Sequence, residues 1–397
     1  MVRCGYCDES FSDEDQLTDH LIKQHEWENL SRIDQKRIET SRPGKTPNAS
    51  LSERLQSIPY SEMLTRRRTI GVSAGLVGLA TAGVIAQNPF GDTTVDTTPY
   101  EGQWDVGPTV PHEAEYPAVV GYDGELYLFG GGTQDEKTPQ NDAVKYNPET
   151  DSWSQLASMP VDGQRMSASV VDDRIYVIDG MSQAAGHGEA AVRIYDPDSD
   201  SWSTGTDRPI GARDPGQATD GEKIYLFGGN AFGQSITQSQ VYDPQTDSWE
   251  EIRELPFVNR QMSCHYVPEQ EKVYLFGGEH PEGPPQRTDV ITYDPETDSY
   301  DDSPTDMPQP SQTIPSTVYD GKVFFAGGED KDGGGRVRTF RIYDPEIDAW
   351  GKLPELTYRA EGTDAAVVDN QLFVPGGRQE VDDGRPFDMM QIYTFSS

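Results

Sequence analysis

The chain has 397 residues, with 68 Asp and Glu against 32 Lys and Arg and a formal net charge of −36. That length admits more than one compact unit and a sizeable core. Such acidity ordinarily marks a disordered or solvating chain, but regularly spaced aromatic residues and glycines exclude that class here. The charge is concentrated: residues 1–91 hold 11 basic and 12 acidic side chains, and residues 92–397 hold 21 and 56.

The first 25 residues contain Cys4-x2-Cys7-x12-His20-x4-His25, with Phe11 and Leu17 between the ligand pairs. Two thiolates on a tight hairpin and two imidazoles one helical turn apart complete a tetrahedron around Zn²⁺. The segment resembles the two-Cys/two-His ββα zinc finger. The resemblance implies structural zinc on Cys4, Cys7, His20 and His25, and a module that folds through its metal. The helix positions that read bases in that family fall at Asp13, Gln16 and Asp19, and residues 1–25 carry six acidic side chains against Arg3 and Lys23. Phosphate neutralisation needs the opposite sign, so a protein partner fits better than nucleic acid. Residues 26–68 read as a polar, partly helical cytoplasmic linker. Within it, Ser50-Leu51-Ser52-Glu53 forms a capping box before Pro59.

Residues 69–91 carry no charge and follow Arg66, Arg67 and Arg68. A helix of that length crosses a bilayer core of ~30 Å, and the arginines hold the N-terminus in the cytoplasm. The stretch Thr65–Ile70 also resembles a twin-arginine export signal, although it lacks the Phe-Leu pair of that pattern. Both readings put the following domain outside the cytoplasm. The first keeps it anchored in the cell membrane, and the alternative releases it by cleavage near Ala82.

After a linker at 92–101, the chain repeats itself. Apolar strands end at Gly130-Gly131, Gly228-Gly229, Gly277-Gly278, Gly327-Gly328 and Gly376-Gly377, with Asp179-Gly180 in the second slot. Tyr146, Tyr195, Tyr242, Tyr293, Tyr343 and Tyr393 follow, then Trp153, Trp202, Trp249, Tyr300 and Trp350. A period of about 50 residues with this order resembles the Kelch repeat, which implies an all-β, six-bladed propeller over 102–397. The sixth unit stops at Ser397, before any outer strand. Trp104 stands 49 residues before Trp153, in phase with the series, so its segment supplies the missing strand. The acidic, Lys-poor composition, 22 Arg and 10 Lys, resembles that of halophile proteins.

Propeller sites lie on loops at the channel mouth. Arg165, Arg213, Arg260 and Arg359 recur just before the inner strands, with Gln312 in blade 5 and Glu113 or Glu115 in blade 1. Converging arginines hold a carboxylate, sulfate or acidic glycan; alternatively they fix neighbouring loops through carbonyls and local Asp. Copper radical oxidases share the architecture but need a Tyr–Cys crosslink and convergent histidines. Here Cys264 is the only cysteine after residue 7, and strand alternation points His265 away from it. Sialic-acid epimerases also resemble this architecture, yet no acid/base pair stands out. The reading is an extracytoplasmic protein- or glycan-binding propeller with a cytoplasmic, protein-binding finger. The alternative is an exported enzyme acting on an acidic sugar.

Overall fold

The computed structural model describes residues 2–3, 10–11, 20, 94–133, 138–183, 188–280, 287–330, 335–380 and 388–396. At the N-terminus, Val2–Arg3 pairs antiparallel with Ser10–Phe11, and His20 is helical and buried. Cys4, Cys7 and His25, the linker 26–68 and the apolar segment 69–91 lie outside the described residues. Among the described residues no helix is long and apolar enough to cross a membrane.

The rest forms six four-stranded antiparallel sheets arranged as a propeller. Blade 1 runs from the inner strand Ala118–Tyr122 through Glu125–Phe129 and Ala143–Asn147 to the outer strand Ser152–Gln155. Blades 2 to 5 repeat that order from inner strands Ser167–Val171, Gly216–Thr219, Ser263–Val267 and Ser316–Tyr319. Blade 6 uses Ala366–Val368, Gln371–Pro375 and Met390–Phe395, and takes Gly102–Val106 as its outer strand. Trp104 lies opposite Tyr393, as its phase in the repeat requires. The packing begins upstream of that strand. Val95 and Tyr100 join a core cluster with Phe324 and Phe395, so part of the expected linker belongs to the propeller.

The second strand of each blade is apolar without alternation because both faces of the sheet pack on neighbouring blades. Leu126, Tyr127, Leu128 and Phe129 are all buried, and each side chain contributes about 2 kcal/mol by leaving water. The glycine pairs then turn the chain where side chains do not fit. Gly228 has φ +56°, and a Cβ there would stand 2.5 Å from the Asn259 carbonyl oxygen of the next blade.

In blades 2 to 5 the Tyr, Asp and outer-strand aromatic of the repeat form a clamp between blades. Tyr242 donates to Asp247 Oδ1 (2.5 Å), which also accepts from the Thr206 backbone amide of blade 2 (2.6 Å). Trp249 Nε1 then donates to the Thr206 carbonyl (2.8 Å). The same bonds recur through Asp200 and Trp202 on Ala157, and through Asp348 and Trp350 on Thr305. Tyr300 replaces Trp in blade 4 and donates its hydroxyl to the Arg253 carbonyl (3.0 Å), preserving the contact. In blade 6, Trp104 Nε1 reaches the Pro354 carbonyl (3.0 Å).

Asp179, in the glycine slot of blade 2, has φ +61° and no solvent exposure. It is ion-paired with the buried Arg208, whose Nε donates to Gln240 Oε1 (2.8 Å). Arg193 donates to the Asp179 carbonyl (3.2 Å) and to Glu189 (2.8 Å). Burial pushes the Asp179 carboxyl up to about 6, against the opposing pull of Arg208. A glycine lost from the repeat is thus replaced by a buried charge network between blades 2 and 3.

Candidate functional site

One residue in each blade, two to four positions before the inner strand, adopts a left-handed backbone. These are Tyr116, Arg165, Asp214, Gln261, Thr313 and Gly362, with φ between +49° and +64°. Five carry side chains, and each left-handed residue costs about 1 kcal/mol. The conformation aims every amide at the carbonyl of the preceding blade. Arg165 N–H donates to Tyr116 (2.8 Å), Asp214 to Arg165 (3.3 Å), and Gln261 to Asp214 (3.0 Å). Thr313 donates to Gln261 (3.2 Å), Gly362 to Thr313 (3.3 Å), and Tyr116 back to Gly362 (2.7 Å). Six hydrogen bonds close a belt around the channel mouth, and at about 1 kcal/mol each they offset the backbone strain.

The residue just before each belt position pairs across to the loop that leaves the glycine pair. The pairs are Glu115 with Gly132, Gln164 with Met181, Arg213 with Asn230, Arg260 with Glu279, Gln312 with Glu329, and Glu361 with Arg378. This register corrects the expected arginine series. Arg213, Arg260 and Gln312 are equivalent, and Glu115 rather than Glu113 is their counterpart in blade 1. Arg165 is one residue further on, in the belt itself. Arg359 lies two residues before Glu361 and is exposed. It does not belong to the ring.

Most of these side chains are already engaged. Arg165 donates to Asp214 Oδ1 (2.8 Å) and stacks over Tyr116, 3.7 Å from the ring centroid. Burial opposes its charge, but Asp214 and Tyr116 hold the guanidinium above its ordinary range. Arg260 pairs with Glu279 (2.9 Å), and Gln312 donates to Glu329 Oε2 (2.7 Å). The Gln261 amide, oriented to satisfy both its atoms, donates to Glu279 and accepts from Arg165, both at 3.1 Å. Arg378 bridges Glu115 and Glu361, and Arg336 donates to Glu361 (2.7 Å). Sequence reasoning missed Arg336 and Arg378, because they lie on the loops opposite the inner strands.

Arg213 differs from the rest. Asn230 stands where blades 4 and 5 have a glutamate. Among the described residues Arg213 Nη1 reaches only the Met181 sulfur (3.6 Å), and its Nε is buried without a partner, as is Asn230 Oδ1.

Beneath the belt, a cavity of about 460 Å³ runs between the inner strands, lined by all six blades. Arg165, Asp214, His265 and Asp364 share this lining. Burial raises the Asp364 carboxyl to about 7, against the Val119 N–H, and lowers His265 to about 4. His265 Nε2 lies 2.8 Å from Ser316 Oγ of blade 5, whereas the Cys264 sulfur packs against Gly216 of blade 3. They face opposite ways, as strand alternation requires. Burial pushes the Cys264 thiol up. Among the described residues no three His, Cys, Asp or Glu side chains gather as metal ligands.

A Kelch motif matches residues 115–160, and a KLHDC2/KLHL20/DRC7 Kelch-repeats domain matches residues 217–397. The chain carries Kelch repeats. Its Kelch propeller is similar in fold to the solved structure of YjhT, at 17% identity and a TM-score of 0.59, over 71% of this chain and 95% of that one. No curated protein matches the sequence.

Proposed function

We propose that the Kelch propeller is a binding module for a protein or glycan that offers an acidic group to the belt end of the channel. One observation carries the reading: among the described residues Arg213 lacks the carboxylate that its equivalents in blades 4 and 5 have within reach. An uncompensated guanidinium in a half-buried setting gains most from a ligand's carboxylate or sulfate. The protein is anchored in the cell membrane by residues 69–91, with the propeller outside and the N-terminus in the cytoplasm. There Cys4, Cys7, His20 and His25 hold structural zinc in a finger that binds a protein partner. The pairing of Val2–Arg3 with Ser10–Phe11, which brackets both cysteines, and the helical His20 support that donor set.

The test is binding of the full-length protein to panels of acidic peptides and glycans. Arg213→Ala should weaken binding at least about tenfold, and Arg260→Ala much less. Equal effects would remove the basis for the reading. A protease map of intact cells should cleave the propeller, and protection would overturn the topology.

One observation favours an exported enzyme acting on an acidic sugar. Arg165 and Asp364 line the same cavity, and a carboxyl raised to about 7 suits proton transfer. Sugar turnover that disappears in Asp364→Asn would establish this second reading over the first.

A further inference from the structure

Among the described residues three large apolar side chains are exposed: Ile347 at 38%, Val106 at 49% and Phe232 at 88%. Phe232 occupies the tip of a two-residue hairpin between Asn230–Ala231 and Gln234–Ser235. Its φ is +51° and that of Gly233 is +83°, the left-handed pair of a turn that favours Asn-Gly. A phenylalanine there bears backbone strain and gains no burial in return. The base of the hairpin is fixed, since Asn230 and Ala231 are each 3% exposed. The backbone of Asn230 exchanges hydrogen bonds with Arg213 at 2.8 and 3.0 Å. Nothing lies within 4 Å of a Cβ built on Gly233, so the tip stands clear of the surface. The ring is therefore held out by a rigid support. It lies two residues, or roughly 7 Å along a strand, beyond the position opposite the uncompensated Arg213.

We infer that Phe232 is a docking knob that enters an apolar pocket of a folded partner protein, while Arg213 takes a carboxylate on the rim of that pocket. This rests on the binding-module reading and assigns the partner and the anchor. A convex, clear-standing ring is poorly shaped to enclose a sugar. A domain with 56 acidic against 21 basic residues is repelled by anionic lipid surfaces. A preorganised aromatic beside an arginine is instead the composition of a protein–protein hot spot, with little ordering left to oppose association.

The experiment uses the full-length protein. A photoreactive p-benzoylphenylalanine replaces Phe232, and crosslinking in producing cells is followed by mapping of the attached residue. The partner so identified is then titrated against wild type, Phe232→Asn, Phe232→Gly and Arg213→Gln. The expected crosslink depends on Arg213 and maps to an apolar pocket with an Asp or Glu at its edge. Phe232→Asn and Phe232→Gly should each weaken binding about tenfold or more. Their Tm should be unchanged or raised, because Asn and Gly suit the left-handed turn better than Phe. If Arg213→Gln loses binding and both Phe232 variants retain it, the mouth reading stands and the knob is refuted. If crosslinks are absent, independent of Arg213, or mapped to a charged flat surface, the inference also fails.

Discussion

The rim and the mouth of the propeller are built on opposite rules. At the rim, the same side chains make the same bonds in successive blades: Tyr to Asp, Asp to the neighbouring amide, Trp to the neighbouring carbonyl. At the mouth, only the backbone repeats. Tyr, Arg, Asp, Gln, Thr and Gly occupy one conformation and one hydrogen-bonded belt with no shared side-chain chemistry. Side-chain repetition therefore holds the blades together, while a repeated backbone presents five different side chains and one glycine around one opening.

The largest expected effect comes from breaking the rim at the closure. Trp104→Ala removes the bond to Pro354 and the edge contact with Phe340, whose centroid lies 5.1 Å away. The loss should be about 3 kcal/mol of stability by denaturant titration. A loss below about 1 kcal/mol would mean that the first strand is not a working part of blade 6.

Acid gives a smaller and graded test. The Ala157 N–H and Tyr195 hydroxyl hold Asp200 below the ordinary carboxylate range, and the Thr206 N–H and Tyr242 hydroxyl do the same for Asp247. A folded pKa below the unfolded one gives stability that is complete above about pH 4 and is lost as pH falls through the folded values. Asp364 carries the opposite sign, because burial raises its carboxyl to about 7. Its contribution is full below about pH 4 and is lost as pH rises through the folded value. Thermal melts of Asp364→Asn should lose that decline and keep the acid limb. An acid limb that shifts in this variant would contradict the division between rim and channel.

The smallest effect belongs to the mouth. Arg260→Gln breaks a pair whose side chains are 23% and 17% exposed, and should cost about 0.5 kcal/mol, falling with added salt. A cost as large as that of Trp104→Ala would make the mouth as structural as the rim.

The same contrast explains what was legible in the sequence. Blade number, strand order and the closing role of Trp104 were readable because the clamp demands Tyr, Asp and Trp at fixed spacing. Tyr300 could be recognised as a stand-in because a phenol hydroxyl can make the bond an indole N–H makes. The belt was not readable, since left-handed geometry at six positions leaves no common residue type. A spacing signal did exist: belt residues precede the first glycine slot by 14 residues in five blades, as from Asp214 to Gly228, and by 16 in blade 4. Using it would have separated Arg165 from Arg213 and set Arg359 aside. The partners Arg336 and Arg378 needed the fold, because loops of irregular length carry them. Asp179 was visible as a departure from the repeat, but its reason, the buried Arg208, lay 29 residues away.

The pairing of Gly102–Val106 with Met390–Phe395 has a mechanical side. The first and last strands of the propeller lie next to each other in blade 6, running in opposite directions. Tension applied through the residues that lead into Gly102 is therefore carried by the packing of Val95 and Tyr100 on blades 5 and 6 and then by this single antiparallel seam. The seam is where the disc would open under force, and every core residue at its Phe324–Tyr393–Phe395 junction acts as a latch.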